Sequence, residues 1–425
     1  MKAGTQFHLL SFEGPDAYSR AGGLSSRVTG LSEALARAGF ETHLWFVGDP
    51  GFPGHELESS VNLHRWCQWI SRYHPMGVYD GAEGKQREYA STLPPYLMRN
   101  VLSPHLRRGG HAVVVAEEWQ TVNAVIHLDW LLRLAGSRNQ VAMFWNANNT
   151  FGFGDIEWTK LGEAAEITTV SHYMRKVMRP WGVDPLVVHN GLSPEAFFPP
   201  DVGDLYEFRS RLKGRTVLCK VARWDPDKRW KSTLNIVKAL KQRGERPLLI
   251  ARGGLEPYGE EVLEAARALG LRVVERSFEC PGARGLLEML SQLDGADVVN
   301  LRSAIDSPCR RVLFCCADAV LANSRHEPFG LVGLETMAVG GLACTGGTGE
   351  DYAIPDRNAL VMETGDPGEF LTSFQRTRKE PELDRALRQA GRRTAEHYSW
   401  SNVLETELLP RLSFTVPVVE LRHTA

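Results

Sequence analysis

Glu327 and Glu335 stand eight residues apart in Glu327-Pro-Phe-Gly-Leu-Val-Gly-Leu-Glu335, on either side of a turn at Phe329-Gly330-Leu331. Residues 334–339, just before Gly340-Gly341, read as a short helix stopped by glycine. Amides at a helix start bind phosphate without a cation, and Gly330, Leu331 and Val332 would supply them here. A phosphate has no use for carboxylates, which repel it; they fit a ligand that also presents hydroxyls. A nucleoside diphosphate sugar presents both. On this spacing Glu335 would reach ribose hydroxyls and Glu327 would face the sugar, with Phe329 in the same donor-binding turn. Alone, two glutamates so spaced are most often one solvated residue before a turn and one on a helix surface.

Val221-Ala222-Arg223-Trp224-Asp225-Pro226-Asp227-Lys228 puts an arginine at the end of a predicted strand and a lysine five residues on, across a turn that Asp-Pro-Asp favours. Arg223 can grip phosphate with two donors and Lys228 adds a point charge. Together they would offset the charge that grows on a leaving nucleoside diphosphate, with no metal required. The plainer reading is a basic surface loop beside Arg229 and Lys231. In the first half, Gly22 and Gly23 follow the first predicted strand and open a helix, where backbone could close on donor phosphates or an acceptor. Gln120, Asn148 and His172 follow further predicted strands. Histidines such as His172 and His189 more often pack or hydrogen-bond than transfer protons. The aromatic stretch from Trp66 to Tyr96 either offers rings to stack on a sugar or buries Trp66 and Trp69 in a core helix; both readings stand.

These residues need a scaffold, and the apolar pattern describes one. Short apolar runs alternate with amphipathic ones through the first half: 7–12, 24–38, 42–47, 112–116, then 141–145, 167–170 and 186–189. After the punctuation of Asn190-Gly191-Leu192-Ser193-Pro194 the alternation resumes at 216–222, 231–243, 247–251, 259–269 and 273–275. Strands alternating with helices make right-handed βαβ units and a parallel sheet, here twice over. Doubly wound sheets bind ligands at the carboxyl ends of their strands, where the candidate residues fall.

Taken in order, the motifs resemble the retaining glycosyltransferases of family 4, the group around bacterial glycogen synthase and sucrose synthase. Glu327 to Glu335 is similar to the family's nucleotide-sugar motif, with Ala317-Asp318 to Ser324 as its approach and Gly346-Gly347-Thr348-Gly349-Glu350 as its following glycine turn. The Arg223 to Lys228 segment, the Gly22-Gly23 loop, Glu118-Trp119-Gln120-Thr121, Val188-His189-Asn190-Gly191 and Tyr398-Ser399-Trp400 each resemble a family motif at the corresponding place. The resemblance implies a GT-B fold, α/β, with two Rossmann-like domains facing across a deep cleft. An acceptor-side domain would span 1–195 and a nucleotide-sugar domain 196–395, with a helix and tail over 396–425 returning to the first. It also implies metal-independent, retaining transfer of a hexosyl unit to a hydroxyl acceptor such as a carbohydrate, with Gln120, Asn148 and His172 on the sugar or acceptor side. The nucleotide sugar is then a co-substrate, and no cofactor is expected. Two departures stand out. Ala116-Glu117-Glu118 occupies a place where His-Asp is common, and Ala147 or Asn148 one where many relatives carry a histidine near the sugar. Asparagine can hydrogen-bond a hydroxyl but cannot take a proton. A front-face path, in which the leaving phosphate oxygen receives the acceptor's proton, tolerates it.

The remaining bounds are coarse. A chain of 425 residues with 43% apolar content builds two ordinary cores, and a net charge of −2 argues against a nucleic-acid partner. Seven scattered cysteines without a C-x-x-C pair suggest reduced, buried thiols and no metal site. The absence of an apolar signal segment or an 18-residue apolar span predicts a cytoplasmic protein with no integral membrane segment. Nucleotide-sugar epimerisation or hydrolysis would use the same pocket, and a degenerate, regulatory nucleotide-sugar binder would keep the same scaffold.

Overall fold

A computed structural model describes residues 4–279, 282–293 and 295–412. Residues 1–3 and residues 413–425 of the expected returning tail lie outside the described residues. The chain divides into two units, Met1–Gly191 with Trp400–Ala425, and Leu192–Ser399.

The first unit is built on an eight-stranded sheet: β1 (Thr5–Leu10), β2 (Glu41–Val47), β3 (His55–Glu58), β4 (Val61–Trp66), β5 (His111–Glu117), β6 (Val141–Ala147), β7 (Glu166–Thr169) and β8 (Leu186–Val187). The strand order is β3-β4-β2-β1-β5-β6-β7-β8, and every pair is parallel except β3 with β4. Strands such as Val113-Val114-Val115 are apolar throughout because helices cover both faces. From β1 the chain winds outward to β2 and β4, then returns past β1 to β5 and winds the other way. The switch point therefore lies between β1 and β5.

The hairpin of β3 and β4 is absent from the apolar pattern. His55-Glu56-Leu57-Glu58 is exposed at every position, so no buried face marks it, and its turn uses Ser59 and Ser60 at φ 48° and 64° where glycine or asparagine would be the usual signal. The stretch from Trp66 to Tyr96 matches neither expectation whole. Trp66 ends β4, Trp69 is 60% exposed, and it is Tyr89, on the helix Ala82–Leu97, that is fully buried.

Register brings four histidines of this sheet together. His8 pairs with His43 across β1 and β2, and His55 with His64 across β3 and β4. His8 stacks on His43 at 4.7 Å, His43 Nδ1 lies 3.0 Å from His64 Nε2, and His64 stacks on Trp45 at 3.7 Å. Burial, then mutual repulsion, lowers His8 well below the usual imidazole range and His64 to about 3; burial also lowers His43, against the pull of Glu41. These rings stay neutral in the folded state while the unfolded chain protonates them, so their contribution is present above about pH 6.5 and fades as pH falls below it. Denaturant titrations from pH 7.5 to 5 should show stability falling by up to about 1.4 kcal/mol per pH unit for each histidine, and His64→Phe should flatten that slope. A pH-independent midpoint would contradict neutral burial.

The second unit carries seven parallel strands: β9 (Thr216–Val221), β10 (Pro247–Arg252), β11 (Val273–Arg276), β12 (Val298–Leu301), β13 (Ala319–Ala322), β14 (Ala343–Gly346) and β15 (Leu360–Met362). Their order, β11-β12-β10-β9-β13-β14-β15, puts a second switch point between β9 and β13. The helix Trp230–Gln242 buries Trp230, Leu234, Ile236, Val237 and Leu240 along one stripe against this sheet.

Two expected boundaries shift. The helix after the glutamate turn runs Leu331–Ala338, three residues earlier than its apolar run suggests. The closing helix does not begin at Glu396: Glu396 and His397 end the helix Pro381–His397, and a new one starts at Trp400. The reason is local. Leu192 N donates to the Tyr398 carbonyl at 2.7 Å and bridges Ser399, which holds the chain extended there. Trp400, Val403, Leu404 and Leu408 then join the core of the first unit. Gly191 allows this, since a Cβ there would lie 2.4 Å from the Trp400 ring.

Candidate active site

The second unit gathers its candidates at the carboxyl ends of β9, β13 and β14. After β9 the chain turns through Asp225, whose side chain accepts from Asp227 N, into a single turn at Pro226–Lys228. Arg229 follows at φ 53° and donates to the carbonyls of Met362, Glu363 and Thr364, tying this turn to the end of β15. Lys228 is thereby aimed at the neighbouring turn, where its Nζ lies 2.6 Å from Glu327 Oε2. Ser324 Oγ donates to the same oxygen at 2.9 Å, and Thr348 Oγ1 accepts from Glu327 N at 2.9 Å. Arg223 is exposed, and its guanidinium has no ion-pair partner among the described residues.

Beneath these turns lies a lysine that no sequence motif marks. Lys220, buried on β9, donates to the Leu321 carbonyl at 3.0 Å and Asn323 Oδ1 at 2.7 Å, and sits over the Trp230 ring. Burial, then the nearby Lys228, pulls it down to about 7. Its bonds fix the Asn323-Ser324 corner from which Glu327 departs.

Glycines let the three turns touch. A Cβ on Gly349 would lie 2.0 Å from the Glu327 carbonyl oxygen, and one on Gly346 2.2 Å from that of Ser324. Gly330 sits between two carboxyls: a Cβ there would meet Glu350 Cγ at 3.0 Å and Glu327 Cγ at 3.3 Å. Glu350 is buried, accepts from Thr348 N through Oε2, and has no partner at Oε1. Burial, then the Glu327 charge, pushes its carboxyl up to about 8, so it is protonated at neutral pH. Gly330 caps the Leu331–Ala338 helix with no side chain on the free amides that follow. One turn further on, Glu335 Oε1 lies 2.8 Å from Arg310 Nη1, which orients that carboxylate. Phe329 is buried edge-on against Tyr352, so its ring supports the turn. Arg223, Lys228, Glu327, Gly330, Leu331, Val332 and Glu335 thus cluster around one switch point.

In the first unit, Glu117 ends β5, Glu118 follows it, and Asn148 follows β6. Glu117 is fully buried, with Arg27 Nε at 2.9 Å on one oxygen and the amides of Asn146 and Asn148 at 2.9 and 2.7 Å on the other. Glu118 sits at φ 70°, a strained backbone for a non-glycine residue, and accepts from Asn148 N at 2.7 Å. Burial, then Glu117, pushes the Glu118 carboxyl up to about 8 against the bond from Asn148. Gln120 is buried with Oε1 unpartnered. Ala147 is fully buried, whereas His172 is exposed at the start of the helix His172–Met178. His189 Nδ1 pairs with Glu407 at 2.8 Å, a packing role.

The residue that sequence reasoning missed here is Glu13. Its Oε2 accepts from Ala21, Gly22 and Ser25 amides at 3.3, 3.1 and 3.1 Å, and Tyr79 donates to Oε1 at 2.7 Å. The amide of Gly22 is therefore occupied, although a Cβ on Gly22 or Gly23 would meet nothing within 4 Å. The only signal was an acidic residue between the first strand and a glycine-opened helix.

No protein-family model matches the chain. The glycogen synthase of Thermus thermophilus is 23% identical over 414 residues, 84% of this chain and 89% of that protein. The D-inositol 3-phosphate glycosyltransferase of Thermobispora bispora is 29% identical over 144 residues, 31% of this chain and only 33% of that protein's own length. Among solved structures, sucrose-phosphate synthase from Thermosynechococcus elongatus superposes with a TM-score of 0.64 at 18% identity, over 94% of this chain and 96% of that one. The catalytic domain of starch synthase IV from Arabidopsis thaliana, bound to ADP and acarbose, superposes at 0.66 with 13% identity, over 95% and 98%. The two α/β units are those of the GT-B glycosyltransferase fold.

Proposed function

We propose that the protein is a glycosyltransferase that moves a hexosyl unit from a nucleoside diphosphate sugar to a hydroxyl of a carbohydrate acceptor, with retention and without a divalent cation. The observation that carries this reading is the Lys228–Glu327 pair, set beside the uncapped amides of the Leu331–Ala338 helix at the switch point of the second unit. Cations and helix amides suit a diphosphate; carboxylates beside them suit hydroxyls. In this reading the free amides after Gly330 and the exposed Arg223 hold the diphosphate, Glu335 the ribose and Glu327 the sugar.

Chemically, the bond between the anomeric carbon and the leaving phosphate oxygen breaks, and the acceptor oxygen bonds that carbon. The acceptor's proton passes to the leaving oxygen. Lys228 and Arg223 offset the negative charge that collects on the diphosphate, which is the largest contribution a protein makes to such a step. No imidazole base is required, consistent with Asn148 being bound to Glu117 and Glu118. Four buried free thiols, Cys67, Cys219, Cys309 and Cys344, suit a reducing cytoplasm, and no helix among the described residues is long and apolar enough to cross a membrane.

Calorimetry against UDP, GDP, ADP and their glucose, mannose and N-acetylglucosamine forms, with chelator present, tests the reading. One donor should be selected by base and lost in Arg223→Ala. Glu335→Ala should weaken that donor about tenfold to a hundredfold while leaving inorganic diphosphate binding unchanged. Product analysis by NMR then separates transfer with retention from hydrolysis or epimerisation. Silence across the panel in folded protein would sink the proposal and favour a degenerate scaffold.

A further inference from the structure

We propose that the acceptor is an uncharged polyhydroxyl compound, a saccharide or polyol, and that Glu13 makes the first unit refuse phosphorylated acceptors; this rests on the glycosyltransferase reading above. The 15-residue helix Gly23–Arg37 starts at the switch point of the first unit, where a phosphate would ordinarily find free amides. Here that position is filled by the chain's own buried carboxylate, which takes the amides of Ala21, Gly22 and Ser25 and the Tyr79 hydroxyl. An incoming phosphate would have to displace Glu13 or lie against it.

The buried cations nearby are already committed to other partners. Glu117, paired with Arg27, ends the adjacent strand β5, and Glu118 follows it. Arg27 is buried and committed to Glu117 and to Asn190 Oδ1 at 2.7 Å. Lys85 is buried and donates to Tyr18 and to the carbonyls of Gly77 and Val78. Arg20 is exposed, with its Nε on the Pro15 carbonyl at 2.7 Å. What the strand ends offer instead are acceptor atoms. Gln120, on the turn directly after Glu118, is 4% exposed and its Oε1 has no partner, which costs stability unless a donor arrives. A hydroxyl can bring that donor, and an uncharged acceptor does so without setting a phosphate dianion against the Glu13 carboxylate.

The test uses the full chain, the donor selected above, and paired acceptors: glucose, maltose, myo-inositol and glycerol against glucose 6-phosphate, inositol phosphate and glycerol 3-phosphate. Nucleoside diphosphate release gives kcat/KM, and saturation-transfer NMR reports acceptor binding apart from turnover. An uncharged acceptor should be favoured over its phosphate at least a hundredfold, and Glu13→Gln should narrow that ratio at least tenfold. Equal or preferred use of a phosphorylated acceptor by the unsubstituted protein overturns the inference and leaves the transferase reading standing. So does an unchanged ratio in folded Glu13→Gln, or uncharged acceptors that give neither saturation transfer nor product. Failure to bind any nucleotide sugar is a different result: the transferase reading then falls, and the inference with it.

Discussion

Lys228→Ala is expected to lower kcat/KM for transfer about a thousandfold, or ~4 kcal/mol of transition-state stabilisation, with little change in folding stability. Its ammonium is the charge that faces Glu327 at 2.6 Å with both side chains less than one-fifth exposed, so no other cation replaces it cheaply. Its loss acts twice. Under the proposed function the growing charge on the diphosphate loses a counter-charge, and Glu327 is left with the Ser324 hydroxyl beside the unpartnered oxygen of Glu350. Lys228→Arg keeps the charge but not the compact head, and is expected to recover only part of the rate. Steady-state kinetics with calorimetric donor binding checks this. Full activity in Lys228→Ala would remove the residue from the site, and a parallel collapse of thermal stability would assign it a structural role.

The second large effect is on stability. Arg27→Ala should destabilise the first unit by about 3–5 kcal/mol, because it strands the fully buried Glu117 carboxylate without its counter-charge. Asn190 would lose its partner at Oδ1, and the Trp400 ring the guanidinium that lies 5.7 Å from its centroid. For a unit of this size the melting temperature should drop by about 10 °C. Replacing the pair together, Arg27→Met with Glu117→Leu, should restore much of the loss, since paired buried ions are often no better than apolar residues of similar volume. Scanning calorimetry decides it, and a loss below about 1 kcal/mol in Arg27→Ala would show that water reaches Glu117.

How far the sequence carries is clearest by comparing particular residues. The two sheets were legible because parallel strands covered on both faces are apolar along their whole length, as in Val113-Val114-Val115 and Leu248-Leu249-Ile250. The β3–β4 hairpin was not, because an exposed edge strand closed by Ser59-Ser60 carries no hydrophobic period and no glycine. In the candidate site, Arg223, Lys228, Glu327 and Glu335 are marked by type and local spacing. Arg310, which orients Glu335, and Lys220, which braces Asn323, were not, since each meets its partner across 25 or more residues of chain.

The amino-acid sequence by itself determined that apolar strands and amphipathic helices alternate in two sets, and where acidic, basic and glycine residues fall against their ends. Those are local properties, written in periods of a few residues and in turn chemistry. Only the tertiary structure decided which of those groups are spent on one another. Glu13 caps the helix that follows it, Arg27 neutralises Glu117 ninety residues away, and Lys228 reaches Glu327 across ninety-nine. A carboxylate's role depends on whether its nearest partner is an amide, a cation or open space, and strand order rather than spacing along the chain sets that distance.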